Sequence, residues 1–444
     1  MADLPSGTRY VRRTHIRSAG WRAGAALSGL CLLLAAGSAA WGQEAASPAG
    51  PACDGALGYA EAFGGRRTFL LRPDHLAAVK ARSLTDGALK PARAAVLRRA
   101  DAALTRPAYT VVDKTRSPAS GDPHDYMSIG PYWWPDPDRP DGLPYVRRDG
   151  QVNPERATNA FDATDMEAMS RDVQALSFAY YLTDDERYAA KAVEMVRAWF
   201  LSPETRMNPN LNHAQAVPGR EAGRAEGVID AHRLVRVVES LGLLDPSPAL
   251  TELDKKALRD WFAALVEWMA TSPNGRAERA ARNNHGVYYD MLLSHFALYA
   301  GMDDAARAVI GAFGPRRLAP QIEADGRLPQ ELTRTRSLHY STWTLIAAMD
   351  VAQLGQCVGV DVWGYRTPDG RSLGKAVDFL DDWAGRENEW PFPEMDLDQT
   401  GGLYEVLLRG AWAWSDAELA RKAELYRARN RSADINLRLP PYAP

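Results

Sequence analysis

The stretch MEAMSRDVQALSFAYYLTDDERYAAKAVEMVRAWF, residues 166–200, decides the fold of this chain. Its first half repeats apolar side chains every three or four positions, as an amphipathic helix does: Met166, Met169, Val173, Leu176 and Tyr180. A polar turn with a helix-capping pattern follows at residues 183–186. The same period then resumes at Ala189, Val193, Val196 and Phe200. The stretch therefore predicts a helical hairpin, two helices joined by a short connection.

The helical period recurs along most of the chain. Further helices are expected at Arg72–Arg82, Leu89–Leu104, around Leu258–Met269, and at Val287–Ala300, Ser341–Leu354, Gly374–Ala384, Gly402–Ala413 and Ala417–Asn430. Such a series of hairpins predicts an all-α fold, an (α/α) toroid in which six or seven helical hairpins form an incomplete barrel. An open α-solenoid is the alternative, although the sequence has no fixed repeat length. We assign residues 66–444 to one helical domain and residues 43–65, rich in Ala, Ser, Pro and Gly, to a flexible N-terminal segment.

Residues 107–158, which we call the aromatic loop, break this pattern. They are rich in Pro, Gly, Asp and aromatic residues, and the Asp149-Gly150 turn predicts a hairpin within residues 145–152. A loop of this length is uncommon without a function. Tyr132, Trp133 and Trp134 could form a carbohydrate-binding wall, because aromatic faces stack on sugar rings. Alternatively, the two tryptophans are core residues that close one end of the barrel.

Residues 1–42 have the features of a secretory signal peptide. Five arginines precede an uncharged run at Ala23–Ala40, and small residues stand at the positions expected before a cleavage site near Gly42. We therefore expect a periplasmic or secreted mature protein. A single membrane anchor is the alternative, but the apolar run is short for a bilayer. We expect no stable membrane insertion after the signal is removed.

Charge and cysteine content limit the possible partners. Removing five Arg and one Asp with the signal leaves 48 basic and 55 acidic residues, a formal charge of −7. An anionic polymer would therefore need a local basic cleft, and no Lys/Arg run indicates nucleic acid. The mature chain keeps Cys53 and Cys357, which could pair in an oxidising compartment or remain free thiols. Because no metal-ligand spacing is present, we expect neither a metal nor a cofactor.

Three polar segments interrupt the helices, and the most informative is RNNHGVYY at residues 282–289. A second, QELTRTRSLHY, covers residues 330–340, and a third, NPNLNHAQAVPGR, covers residues 208–220. Amides and imidazoles are costly in an apolar core, since each buried polar group needs a partner. His285 could still be a satisfied structural histidine and Asn284 a helix cap. The first two segments together indicate a reaction site, because they combine amide, imidazole, guanidinium and phenol groups.

These groups suit β-elimination on a uronic acid. The C5 proton is very weakly acidic, so a lyase must first neutralise the adjacent carboxylate with Asn, His or Arg donors. A base then removes the C5 proton and an acid protonates the leaving O4. One tyrosine can do both if a nearby cation lowers its pKa toward neutrality. This applies when the C5 proton and O4 share a face, as in mannuronate and glucuronate. In guluronate they lie on opposite faces, and a second group such as His285 is required.

The motifs resemble the alginate lyase superfamily of (α/α)-toroid polysaccharide lyases. The resemblance covers about residues 70–430 and is carried by NNH at 283–285, Arg334 with Tyr340, YMSIGPYWWPDP at 126–137 and NLNHAQAVPG at 210–219. The chain is more similar to polysaccharide lyase family 38 than to the mannuronate lyases of family 5. In family 5 the spacing from arginine to tyrosine is one residue longer.

The resemblance implies a role for several residues. Asn284, His285 and Arg334 would neutralise the carboxylate, and Tyr340 would be base and acid. Substrate would be bound by Arg336, Gln215, His213, Tyr132, Trp133 and Trp134. The implied partner is an anionic polysaccharide, namely alginate, polymannuronate or glucuronan, cleaved to give C4=C5-unsaturated ends.

Two other functions are open on sequence alone. A glycoside hydrolase on the same toroid would need two carboxylates at a defined separation, for which Asp325, Glu331 and Asp396 are available. A non-catalytic glycan-binding protein would use the aromatic wall without needing Tyr340. The ultraviolet absorbance of an unsaturated product distinguishes a lyase from both.

Overall fold

The protein is built almost entirely from helices, as a computed structural model covering residues 50–397 and 400–442 shows. The α-helices of the described residues are α1 Pro73–Arg82, α2 Lys90–Ala103, α3 Ala163–Thr183, α4 Glu186–Val196, α5 Leu234–Leu244, α6 Glu252–Thr271, α7 Pro273–Ala280, α8 Asn284–Ala300, α9 Asp303–Gly311, α10 Ala319–Gln321, α11 Pro329–Leu332, α12 Ser337–Cys357, α13 Leu373–Asp381, α14 Gly401–Trp414, α15 Ala417–Arg427 and α16 Ile435–Arg438. Irregular helical segments include Ala225–Arg233 before α5. The proposed signal peptide lies outside the described residues.

The α3–α4 hairpin has the geometry that residues 166–200 predict. Asp184 ends α3 in the left-handed conformation, and the Asp185 side chain caps α4 by accepting from the Arg187 backbone N–H at 3.0 Å. Helix α3 packs against α2, α4 and α5. Most of its side chains are therefore buried, which explains its apolar composition.

Helix α8 occupies a central position. It packs against α6, α9 and α12, and α12 in turn packs against α14. One continuous apolar core joins these helices, and α16 near the C-terminus contacts both α1 and α2. The all-α class is thus confirmed. Among the described residues, none of the helices is long and apolar enough to cross a bilayer.

Within the part of the chain that the structure describes, four short strands lie beside the helices. β1 (Met127–Ile129) pairs in parallel with β4 (His213–Ala216), and β2 (Trp133–Trp134) pairs antiparallel with β3 (Val146–Arg147). The hairpin expected within residues 145–152 is therefore wrong, because β3 pairs back to the tryptophans. The Asp149-Gly150 turn exists, and Gly150 has a φ of 77° that favours glycine. The aromatic loop is consequently folded back on itself and tied to the polar segment at 208–220.

Some helices have no counterpart in the sequence expectations. Helix α5, whose apolar residues do repeat at helical spacing, and the short helices α7 and α9 were not predicted. The segment expected to be flexible, residues 43–65, is instead packed against the helices from residue 50 onward. Tyr59 and Phe63 are buried in a small apolar cluster with residues of α1 and α3, which fixes this segment in place.

A disulfide joins Cys53 to Cys357, the last residue of α12. The two cysteines are 304 residues apart, so the bond closes a loop that contains most of the helical unit. Cross-linking residues so far apart reduces the entropy of the unfolded chain. The bond therefore holds the N-terminal segment against the end of α12.

We expect the double variant Cys53→Ser/Cys357→Ser to be less stable, by up to about 5 kcal/mol for a loop this long. Urea unfolding of the mature chain measures the difference. Wild-type protein treated with a reductant should match the double variant. A reductant that leaves the unfolding midpoint of the wild type unchanged would contradict this role of the bond.

Candidate active site

A cleft of about 440 Å³ lies where the aromatic loop, β4, the segment Ala225–Arg233 and the first turns of α8 and α12 meet. Its charged lining comprises Arg147, Arg156, Arg224, Arg233, Arg334, Glu226 and Asp230. Five arginines face two carboxylates, so positive charge is concentrated here. This is the local basic cleft that a chain of negative net charge needs in order to bind an anionic polymer.

Tyr340 lies in the first turn of α12. The Glu394 carboxylate fixes this turn by accepting from the backbone N–H groups of Leu338 and His339, at 2.9 and 3.2 Å. The Tyr340 phenol oxygen is 2.5 Å from that of Tyr132 on the aromatic loop. The two hydroxyls therefore form one hydrogen-bonded pair inside the cleft.

The electrostatics of Tyr340 differ from the sequence expectation. Burial raises the pKa of Tyr340 well above its ordinary value, and Tyr132 raises it further, while Arg334 acts in the opposite direction. The Arg334 guanidinium carbon is only 3.8 Å from the centre of the Tyr340 ring. The expectation that a neighbouring cation brings this pKa toward neutrality is nevertheless wrong, because desolvation of the phenolate outweighs the cation.

Arg334 is engaged by a carboxylate of the aromatic loop. Its Nη2 and Nε donate to the two Asp149 oxygens at 2.9 and 3.2 Å, and the Thr335 hydroxyl donates to the same carboxylate at 3.0 Å. Burial acts to raise the pKa of Asp149, but the hydrogen bonds and charge of Arg334 lower it to about 2. Asp149 thus holds the Arg334 guanidinium in place through two of its three nitrogens.

His285 lies in the first turn of α8 and lines the cleft. Its Nδ1 is 2.7 Å from Oε1 of Glu278, a carboxylate on α7 whose side chain is 2% exposed. Burial acts to lower the pKa of His285, but the adjacent Glu278 carboxylate reverses this, and the net pKa is raised. Because Glu278 occupies Nδ1, Nε2 is the nitrogen available to a substrate.

Asn284 lies behind the cleft wall. It is fully buried, and its backbone N–H and side-chain amide donate to the two Glu331 oxygens at 2.7 and 2.8 Å. The preceding residue, Asn283, lines the cleft and caps α8 by accepting from the His285 N–H. The cap considered for Asn284 therefore belongs to Asn283. The structure does not bring the Asn284 side chain into the cleft, because Glu331 takes both of its donors.

Asp230 connects the walls of the cleft. This buried carboxylate accepts from the Tyr126 and Ser128 hydroxyls at 2.9 and 2.7 Å and from the Gln215 amide at 3.2 Å. It also accepts from Arg156 and Arg233 at 3.2 and 3.5 Å. Burial acts to raise the pKa of Asp230, but the two arginines lower it well below its ordinary value. The carboxylate thus stays charged.

Gln215 is held in an unusual conformation. Its φ is 48°, a left-handed value that is costly for a residue with a side chain. Arg224 donates to both its backbone and its side-chain oxygen at 3.0 Å, and its own amide reaches Asp230. These contacts hold Gln215 at the wall of the cleft, and its role in substrate binding stays a prediction.

The remaining predicted residues divide into two groups. Trp133 lines the cleft, with the guanidinium groups of Arg220 and Arg224 at 5.3 and 5.7 Å from its ring centre. Three others do not line it: Trp134 donates to the Gln151 carbonyl, His213 lies 3.5 Å from Asp125, and Arg336 contacts Asp396. Each has a polar partner that holds it elsewhere.

Several lining residues escaped the sequence reasoning. His232, His339 and Trp343 form an aromatic group in the lining of the cleft, with His339 stacked on Trp343 at 6.1 Å. Burial lowers the pKa of His339 to about 4, and that of His232 to about 3. Both are therefore uncharged at neutral pH. Trp343 could have been identified from its helical spacing, since it follows Tyr340 by three residues.

The fold and this cleft define an all-α polysaccharide lyase. The family model described as alginate lyase matches residues 110–390, and the chain belongs to that family. A solved alginate lyase from Bacteroides ovatus is 38% identical, with a TM-score of 0.80, covering 84% of this chain and 98% of that one. A search of the curated proteins finds no match.

More distant structures share the fold. An alginate lyase from a Sphingomonas species is 16% identical with a TM-score of 0.50, over 78% of this chain and 88% of that one. A variant of that enzyme, complexed with a tetrasaccharide, matches to the same extent. The predicted toroid is therefore confirmed, as is a lyase acting on alginate-like polymers. The finer assignment to family 38 stays a prediction.

We expect Asp230→Asn to lower the free energy of unfolding by about 3 kcal/mol or more, because it leaves two arginines without their buried counter-charge. Chemical denaturation measures the loss. The same substitution at Asp304, whose side chain is exposed beside Arg307, should change stability by no more than about 0.5 kcal/mol. Equal effects of the two substitutions would show that the buried network adds nothing.

Proposed function

We propose that this protein is a periplasmic or secreted lyase that cleaves 1,4-linked uronate polymers whose C5 proton and O4 share a face. Mannuronate-rich alginate and glucuronan are such polymers. The observation that carries the proposal is the grouping of Tyr340, Arg334 and His285 around one basic cleft. A phenol, a guanidinium and an imidazole are the groups that this elimination requires.

Neutralisation of the substrate carboxylate is assigned to Arg334 and His285. Asp149 binds Nε and Nη2 of Arg334 and so fixes the guanidinium beside the Tyr340 ring, and Nη1 would be the nitrogen that donates to a uronate. Nε2 of His285 is available from a different wall of the cleft. Asn284 would act indirectly, through the Glu331 side chain that it binds. Donors on two sides of the carboxylate would stabilise the charge that develops when the C5 proton leaves.

Proton transfer is assigned to Tyr340. Its phenolate takes the C5 proton, the C5–H electron pair forms the C4=C5 bond, and the C4–O4 bond breaks. The leaving O4 then takes the proton from the Tyr340 hydroxyl. Burial disfavours the phenolate, so it needs support, and the Tyr132 hydroxyl at 2.5 Å can donate to it, with the Arg334 guanidinium 3.8 Å from the ring centre.

The location is proposed from two independent features. The first 42 residues have the charge and hydropathy of a signal peptide. The disulfide between Cys53 and Cys357 is a bond of oxidising compartments. Together they support export to the periplasm or beyond.

The alternatives weighed from sequence lose their support. A hydrolase would need a carboxylate pair in the cleft, but Asp230 is engaged by five donors and Glu226 by Arg224 at 3.2 Å. A non-catalytic binding protein would not need Tyr340 beside Arg334. Membership in a lyase family also favours elimination.

We expect Tyr340→Phe to lower turnover by about 10²–10⁴-fold, the usual contribution of a general acid–base group. The assay is the absorbance of the unsaturated product. Tyr404→Phe is the matched control, because it also removes a buried hydroxyl, which donates to Asn436 at 2.6 Å, away from the cleft. Full activity in Tyr340→Phe would remove this tyrosine from the mechanism.

We expect His285→Ala and Arg334→Ala each to lower kcat by about 10²-fold or more, with a smaller change in KM. The reason is that both donors bind most strongly as charge develops on the carboxylate. Steady-state kinetics on one polymer separates the two parameters. A raised KM with unchanged kcat would indicate ordinary substrate binding instead.

At neutral pH we expect polymannuronate and glucuronan to be cleaved faster than polyguluronate. A single phenol reaches one face of the sugar ring, and Tyr340 is the phenol beside the carboxylate donors. Initial rates on the three homopolymers provide the measurement. Fastest cleavage of polyguluronate would point to His285 as the base.

A further inference from the structure

Two histidines of α8 pair with buried glutamates of other helices, and the two pairs differ in their access to the cleft. His285 in the first turn pairs with Glu278, and His295 near the other end pairs with Glu239, each at 2.7 Å. Glu239 also accepts from the backbone N–H groups of residues 69–71, and His295 is fully buried, so that pair is part of the core. His285 lines the cleft, and its pair is therefore placed to act on a substrate.

We propose that Glu278 is a positioning residue that sets the charge of His285, so that the preference between the two uronate stereochemistries depends on pH. The inference rests on the proposed lyase function. Glu278 itself does not line the cleft, and it acts only through Nδ1 of His285. His232 and His339 also line the cleft, but burial lowers the pKa of each and so disfavours the charged donor state that Glu278 stabilises in His285.

The hydrogen bond to Glu278 fixes which nitrogen faces the substrate. With Nδ1–H donating to the carboxylate, Nε2 has two states. When it carries a proton, it donates to the uronate carboxylate and supports removal of the C5 proton by Tyr340. When it has lost that proton, it presents a lone pair and can itself take a C5 proton from the face opposite O4.

The two states serve different polymers. In the donor state, Tyr340 accepts the C5 proton and returns it to O4, which suits mannuronate and glucuronate. In the base state, His285 accepts the C5 proton, the electron pair forms C4=C5, and Tyr340 gives its own proton to the leaving O4, which suits guluronate. Both routes form and break the same bonds of the sugar, and no further reactant is required.

The charges around His285 favour the donor state. Glu278 on α7 and Glu226 on the neighbouring irregular helix stabilise its positive charge, while Arg224 and burial oppose it. The Glu331 carboxylate on α11 also interacts with the charge of His285, which acts to lower the pKa of Glu331. The balance raises the pKa of His285, so the donor state persists to higher pH than for an isolated histidine. Removing the Glu278 charge lowers that pKa and brings the base state to lower pH.

The first test needs no substrate. Histidine-labelled mature protein is titrated by NMR as wild type and as Glu278→Gln, with the His285 signal assigned from its loss in His285→Gln. We expect Glu278→Gln to lower the pH of His285 titration by about 1–3 units, the usual effect of one adjacent opposite charge. Glu239→Gln, the matched pair in the core, should leave the His285 titration in place. An unchanged titration in Glu278→Gln would overturn the proposal.

The second test measures rates on polymannuronate and polyguluronate from acid to alkaline pH. We expect the ratio of the two rates to fall as pH rises through the His285 titration, and Glu278→Gln to shift that fall to lower pH by the amount seen in NMR. Glu278→Asp keeps the charge, so its transition should lie above that of Glu278→Gln. If Glu278→Gln does not fold, the wild type alone still tests whether the rate ratio falls at the pH where the NMR signal of His285 titrates.

The outcomes separate the two proposals. A ratio that does not change with pH in wild type would overturn the selectivity role, even with full lyase activity. An NMR shift without unsaturated product from any uronate polymer would instead overturn the proposed function, and the selectivity role with it.

Discussion

The site depends on one buried carboxylate, that of Asp230. It holds donors from the aromatic loop, among them Arg156, from β4 and from its own helical segment. A buried charge of this kind is tolerated only when its partners surround it. Because those partners come from segments far apart in sequence, their mutual positions are set by a single anion. The charge of Asp230 therefore holds the walls of the cleft in position, and the helices pack behind those walls.

Most helices could be predicted from the sequence because their apolar residues repeat at helical spacing. In residues 166–200 both helices have this period, and the Asp185 side chain caps the second of them. Helix α5 was not predicted, although its apolar residues from Leu234 to Leu244 also repeat at helical spacing. Strand β3 was assigned the wrong partner, since the pairing with Trp133–Trp134 spans a connection that no local pattern indicates.

The site could be predicted only in part. Local motifs identified Tyr340, Arg334 and His285, whose residue types are unusual for a helical core. They did not identify Glu278, because PNGRAERA looks like an exposed polar helix, and its burial against the segment Ala225–Arg233 is a tertiary effect. Nor could they separate Asn283 from Asn284, since adjacent residues of a helix end point in different directions. The direction of the Tyr340 pKa shift could not be predicted from the sequence either, because burial rather than the nearby cation governs this pKa.

The disulfide has a consequence for how the protein is made. Its first cysteine, Cys53, is synthesised early, whereas Cys357 follows only after the rest of α12. Correct pairing therefore requires that the chain has been made at least to the end of α12. A chain cut short before α12 has no partner for its early thiol. The bond thus distinguishes completed molecules from fragments, and the exposed thiol of a fragment is available to oxidoreductases and quality-control proteases.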